Sequence, residues 1–153
     1  MWQGYLSGGY YDEKGNMRRE IIVEDAQRVA KELEKVGMTS TSLRRFYNKV
    51  MAIKTKMSIE KDFEVVRPMI DKLVPIVSYN VKRKVIPDSF ESFIKANVAH
   101  ARKSHTDFLG FFEHFQCVIA FSKNTDDHRG GGGRSRSSQN YRKSGKNHQF
   151  GRK

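Results

Sequence analysis

Between residues 24 and 121, apolar side chains return every three or four positions, and each run stops at a glycine, a proline or a cluster of hydroxyls. That period lines up one face of an α-helix, whereas a half-buried strand would alternate every second residue. The chain is therefore constrained to an all-α fold, a compact bundle of five to six helices. At 153 residues there is room for one such domain, and a helical body of roughly 100 residues buries a workable core without disulfide or metal staples.

The runs can be placed individually. Ala26, Val29, Ala30, Leu33 and Val36 form the first stripe, starting near Glu24, and Gly37 supplies its stop. Thr39, Ser40, Thr41 and Ser42 offer N-cap hydroxyls ahead of a second helix with Leu43, Phe46, Tyr47, Val50, Ile53 and Met57 inward. Ser58 is positioned to cap a third segment burying Ile59, Phe63, Val66, Ile70 and Leu73. Pro68 and Pro75 lack the N–H that continues a ladder, so a kink or break is expected, with Pro75 opening a short helix that buries Val77 and Val81. Pro87-Asp88-Ser89 starts the next helix, with Phe90, Phe93, Ile94, Asn97, Val98 and Ala101 along one side. Thr106 or Asp107 then caps a last helix carrying Phe108, Leu109, Phe112, Phe115, Val118, Ile119 and Phe121. That helix is apolar over more than half its circumference, as expected of a central helix or of one that meets a partner.

Flanking segments are different in kind. Residues 1–20 mix Trp2, Tyr5, Tyr10 and Tyr11 with Gly4, Gly8, Gly9 and Gly15, which predicts an irregular arm. Its aromatic rings are expected to pack on the body or on a partner; stacking on bases is the alternative. The bundle domain spans 21–123. Residues 124–153 hold eight basic side chains and two acids, a net +6, with almost no apolar residues to offset the entropy of ordering. A disordered basic Arg/Gly/Ser tail is predicted, either a loose RNA-binding segment or a solubilising one.

Charge directs attention to a polyanion: 29 Lys and Arg stand against 17 Asp and Glu, a net charge of +12. Its distribution is uneven. The first helix mixes signs, whereas residues 43–57 carry Arg44, Arg45, Lys49, Lys54 and Lys56 without an acid. Arg45 and Lys49, four apart, stack on one side, and Lys56 comes round nearby. A second cluster, Lys82-Arg83-Lys84, follows Tyr79 and Asn80 at a helix end, where the macrodipole also favours cations. Nothing in either set reads bases, so contacts to phosphate and sugar with weak sequence preference are expected.

Catalytic templates find no match. His100 and His105 are five apart and point to different sides of a helix, so they make no shared zinc site; His114, like the others, reads as a surface or partly buried imidazole. Gly130–Gly133 lacks the Lys-Ser/Thr of a P-loop. The single Cys117 excludes an internal disulfide and suits a reducing cytoplasm, with a buried structural thiol the default. No run approaches the ~20 apolar residues of a membrane span, and Met1–Gly9 lacks the order of a signal peptide, so a soluble, cytoplasmic protein with no cofactor and no membrane partner is expected.

Four ordered stretches carry a family likeness: Gly9-Tyr10-Tyr11-Asp12-Glu13-Lys14-Gly15-Asn16, Thr41 to Val50 (TSLRRFYNKV), Pro75 to Arg83 (PIVSYNVKR) and Ala120-Phe121-Ser122-Lys123. Together they resemble the small subunit of the type III-A (Csm) CRISPR effector complex over about residues 9–123. The resemblance implies a non-catalytic helical bundle whose copies stack head to tail beside the backbone and large subunits. There it holds target RNA against the guide RNA without reading sequence, while neighbouring subunits do the chemistry. Carried onto this chain, it points to Arg44, Arg45, Lys49, Tyr79 and Arg83 as RNA-binding positions; Lys56 and Lys82 come from the charge pattern alone. Asn80 and Lys82 depart from the small residues the family places there. The competing readings are a free-standing RNA chaperone or helix-turn-helix-like regulator and, more remotely, a small metal-dependent nuclease.

Overall fold

A computed structural model of the protein describes residues 1–123. The predicted disorder of residues 124–153 lies outside the described residues. Among these, six α-helices follow an irregular arm and one π-helical turn: the π-turn Glu20–Asp25, α1 Ala26–Lys35, α2 Ser40–Ile59, α3 Phe63–Asp71, α4 Leu73–Lys82, α5 Asp88–Ala101 and α6 His105–Phe121.

Local chemistry sets the boundaries. α1 ends in a Schellman turn: Gly37 takes φ +80°, its N–H donates to Glu34 O at 3.1 Å and the Met38 N–H to Leu33 O at 2.9 Å. Val36, expected inward, is 47 % exposed because the backbone has already left the helical path there. Thr39 caps α2, its Oγ1 accepting from Ser42 N–H at 3.2 Å. The expectation that Ser58 caps the third segment is corrected. α2 runs on to Ile59, the Ser58 hydroxyl donates back to Thr55 O, and Asp62 caps α3 by accepting from Glu64 N–H at 3.0 Å. Ile59 is accordingly 74 % exposed, since its place in the last turn of α2 lies about 160° from the core stripe.

The prolines act less abruptly than predicted. Pro68 is accommodated inside α3, and the break falls at Lys72. Pro75 is the third residue of α4, still within the first turn, where a missing N–H leaves no bond unmade. α5 follows the sequence pattern closely: Phe90, Phe93, Ile94, Asn97, Val98 and Ala101 are all buried. α6 is capped by Ser104 and not by Thr106 or Asp107. The Ser104 hydroxyl accepts from Asp107 N–H at 3.0 Å and donates to the Asp107 carboxylate at 2.8 Å.

α6 is the central helix, packed against α1, α2, α5 and the π-turn. Phe108, Phe111, Phe112, Phe115 and Val118 are buried, with the Phe93 and Phe115 rings meeting edge to face at 5.3 Å. The arm is irregular, as predicted, and its aromatic rings pack on the body. Leu6 and Tyr10 are buried, and Tyr11 donates to Thr106 O at 2.7 Å. The Tyr10 ring lies over Gly110 of α6 so closely that a Cβ there would stand 2.6 Å from Tyr10 Cγ.

Beneath the arm runs a buried hydrogen-bond chain. Tyr10 donates to Asn97 Oδ1 at 2.8 Å, Asn97 Nδ2 donates to the Tyr5 oxygen at 3.0 Å and to Phe93 O at 2.8 Å, and Tyr5 meets His114 Nε2 at 2.7 Å. His114 Nδ1 reaches Ile21 O at 2.7 Å. Because a carbonyl only accepts, Nδ1 carries the proton and Nε2 accepts from Tyr5, which fixes one neutral tautomer. His114 is thus fully buried, not the surface or partly buried imidazole expected, and burial holds its pKa down at about 4.

Candidate nucleic-acid interface

The basic residues of α2 are set by helix angle against the buried stripe of Leu43, Phe46, Val50, Ile53 and Met57. Arg45, Lys49 and Lys56 fall within about 40° of one another on one shoulder. All three are exposed. Arg44 is turned about 100° from Arg45, and it borders a small hollow with Leu43, Ile119 and Lys123 on the α6 side. Lys54 also belongs to that other side, its ammonium 4.2 Å above the Phe112 ring.

The shoulder bearing Lys49 faces α3 and α4 across a shallow groove of about 280 Å³. Its floor is Ile53 and Leu73, both core residues, with Ala52, Met69 and Ile76 above them. Lys49 stands on one wall and Lys72 on the other, and no carboxylate lines it. From Lys72 the same side of α4 continues through Ile76, Tyr79 and Arg83, at successive spacings of four, three and four residues. The Tyr79 ring is 59 % exposed, and the Arg83 guanidinium sits 5.4 Å from its centroid. Lys82 turns about 100° away from Arg83 and contributes to the field on Glu91 of α5, which is also held by Lys95 at 2.7 Å and by Ser78.

The sequence-derived set therefore divides. Lys49 lines the groove, Arg45 and Lys56 share its shoulder of α2, and Tyr79 and Arg83 continue the Ile76 side of α4 by helix spacing, whereas Arg44 and Lys82 lie on other faces. Lys72 was missed, because it falls at the α3–α4 break; its distance of four from Ile76 and seven from Tyr79 is the signal that finds it. Electrostatically the groove is uncompensated. The ion pairs among the described residues join Arg18–Glu20, Arg19–Glu24, Arg28–Glu32, Arg67–Glu64, Lys95–Glu91 and Arg102–Asp71, and none includes a cation of the groove. Asp71, next to Lys72 in sequence, is taken by Arg102 at 2.8 Å.

Among the described residues no group of three or more His, Cys, Asp or Glu is placed to hold a metal ion, and no helix is long and apolar enough to cross a membrane. Fold and groove define a class: small all-α proteins that present uncompensated positive charge along a shallow surface groove. A family model described as Csm2 Type III-A matches residues 16–128. The chain belongs to that family, the small subunit of type III-A CRISPR (Csm) complexes. No curated protein and no solved structure matches the chain.

Proposed function

We propose that the protein is a non-catalytic, RNA-binding subunit that stacks in several copies within the type III-A complex, in the cytoplasm. It holds target RNA against the guide RNA along the α2–α4 groove, beside the backbone and large subunits, as part of antiviral defence. The observation that carries this reading is the acid-free groove between Lys49 and Lys72, with Arg45 and Lys56 on the same shoulder of α2 as Lys49 and with Tyr79 and Arg83 further along the Lys72 side of α4. A row of lysines and arginines without acceptor partners suits a phosphate backbone, and with no bidentate fork aimed at base edges it favours binding without sequence readout.

The test is the Arg45→Glu/Lys49→Glu double variant in a salt titration of single-stranded RNA binding. Both side chains are exposed, so helicity by circular dichroism is retained. Losing two phosphate contacts flattens the slope of log K against log salt by about 1.4, at about 0.7 per single-strand contact. Unchanged affinity and slope refute the assigned face.

A further inference from the structure

The same groove has a property that phosphate binding does not use. A backbone tracked by lysines needs only exposed charge, yet here the space between Lys49 and Lys72 is apolar: Ala52, Met69 and Ile76 line it and leave an open trough of about 280 Å³. That is just below the ~300–1,000 Å³ of clefts that enclose drug-sized ligands and suits one planar ring system. Three larger hollows of the described surface carry carboxylates, Asp88 in one, Glu60 in another and Asp12, Glu13 and Glu20 in a third, and the hollow beside Arg44 and Lys123, which has none, holds only about 10 Å³. The α2–α4 groove combines aliphatic walls with a cation on each rim.

From this combination we infer that the groove is a subsite for a single unstacked nucleobase, which lies between Ala52 and Ile76 while its flanking phosphates sit on Lys49 and Lys72. The occupant is a nucleotide of single-stranded RNA, so the inference rests on the RNA-binding reading and adds to it a place for a base. The chemistry fits an aromatic ring carried on an anionic chain. Apolar walls accept either face of any base, and the Met69 thioether is a soft, polarizable contact for a π-system. The exposed Tyr79 ring, three residues beyond Ile76, extends the stacking surface toward the next nucleotide. With no fixed hydrogen-bonding group along the floor, the subsite takes any base.

The experiment fills the trough without touching its charge. Ala52 is exposed on α2, and Ala52→Leu keeps helix propensity while occupying the space where a base would lie. Binding of the full chain to a short single-stranded RNA is measured by anisotropy. The wild type and variant are compared on intact RNA and on the same RNA with an abasic nucleotide, and 2-aminopurine reports base environment. The expected result is an affinity loss of about tenfold for Ala52→Leu with an unchanged salt slope. The same loss is expected for the wild type on abasic RNA, with no further loss when both changes are combined.

Equal binding of wild type and Ala52→Leu to both RNAs, while Arg45→Glu/Lys49→Glu loses RNA, overturns the base subsite and leaves the RNA-binding reading standing. Indifference of all variants overturns both. Unchanged RNA binding together with weaker co-purification of neighbouring subunits by Ala52→Leu assigns the groove to a protein partner and likewise overturns the inference.

Discussion

Replacing Gly110 with alanine places a methyl group where Tyr10 already lies. In most helix interiors this exchange stabilises by about 1 kcal/mol, because glycine loses more backbone entropy on folding. Here the added Cβ stands 2.6 Å from Tyr10 Cγ and 2.7 Å from Cβ and Cδ2, the root of the ring and not a flexible tip. Tyr10 is also pinned at its far end by the bond to Asn97 Oδ1, so rotating it away leaves a buried acceptor unpaired. Overpacking of this kind costs about 1–3 kcal/mol. Set against the propensity gain, the net is a destabilisation of about 1 kcal/mol. The sign reverses once the ring is gone: in a Tyr10→Ala background, Gly110→Ala stabilises by about 1 kcal/mol. The implied coupling of about 2 kcal/mol lies in the range measured for residues in contact. Urea unfolding of the four proteins, followed by far-ultraviolet circular dichroism, measures it. A stabilising Gly110→Ala in the wild-type background, or additive effects, would refute the close arm–α6 contact.

Two further predictions concern stability. His114 has its pKa depressed from 6.5 to about 4, so between those values the unfolded chain binds a proton that the folded protein refuses. Stability therefore rises with pH across that window, by about 3 kcal/mol in all, and His114→Gln removes this component from a pH series of urea midpoints. Ser104→Ala removes the cap of α6 and its link to Asp107, which costs about 1 kcal/mol. A thermal transition unchanged from wild type would contradict the capping role.

Much of the bundle is legible in the sequence because helix periodicity and burial coincide. The six α5 positions with a three-and-four spacing are all buried, and Gly37 stops α1 as its conformational freedom suggests. Boundaries are harder where several residues can do the same job. Ser58 and Asp62 both offer caps, and the outcome depends on where the helix axis must turn to cover Val66 and Ile70. Ser104 displaces Thr106 for the same kind of reason. His114 is obscured because a polar residue on an apolar helix reads as exposed unless its partners are known, and those partners, Tyr5 and Ile21, come from the other end of the chain. In the groove, angle decides more than proximity in sequence. Arg44 and Arg45 are adjacent, as are Lys82 and Arg83, yet one member of each pair turns away. Lys72 belongs to the groove although it stands alone in the sequence, because two short helices meet there.

The hydrogen-bond chain from Tyr10 to His114 ties the order of synthesis to the order of assembly. The acceptor of Tyr5 on His114 is made 109 residues after it; at about 5–20 residues per second that is a wait of roughly 5–20 s. Until α5 and α6 are made, Tyr10 lacks both the Asn97 that accepts its hydroxyl and the Gly110 its ring lies over. Arm residues made well before their partners are thus fixed only after them, and the seated arm marks a chain whose sixth helix has been completed and packed.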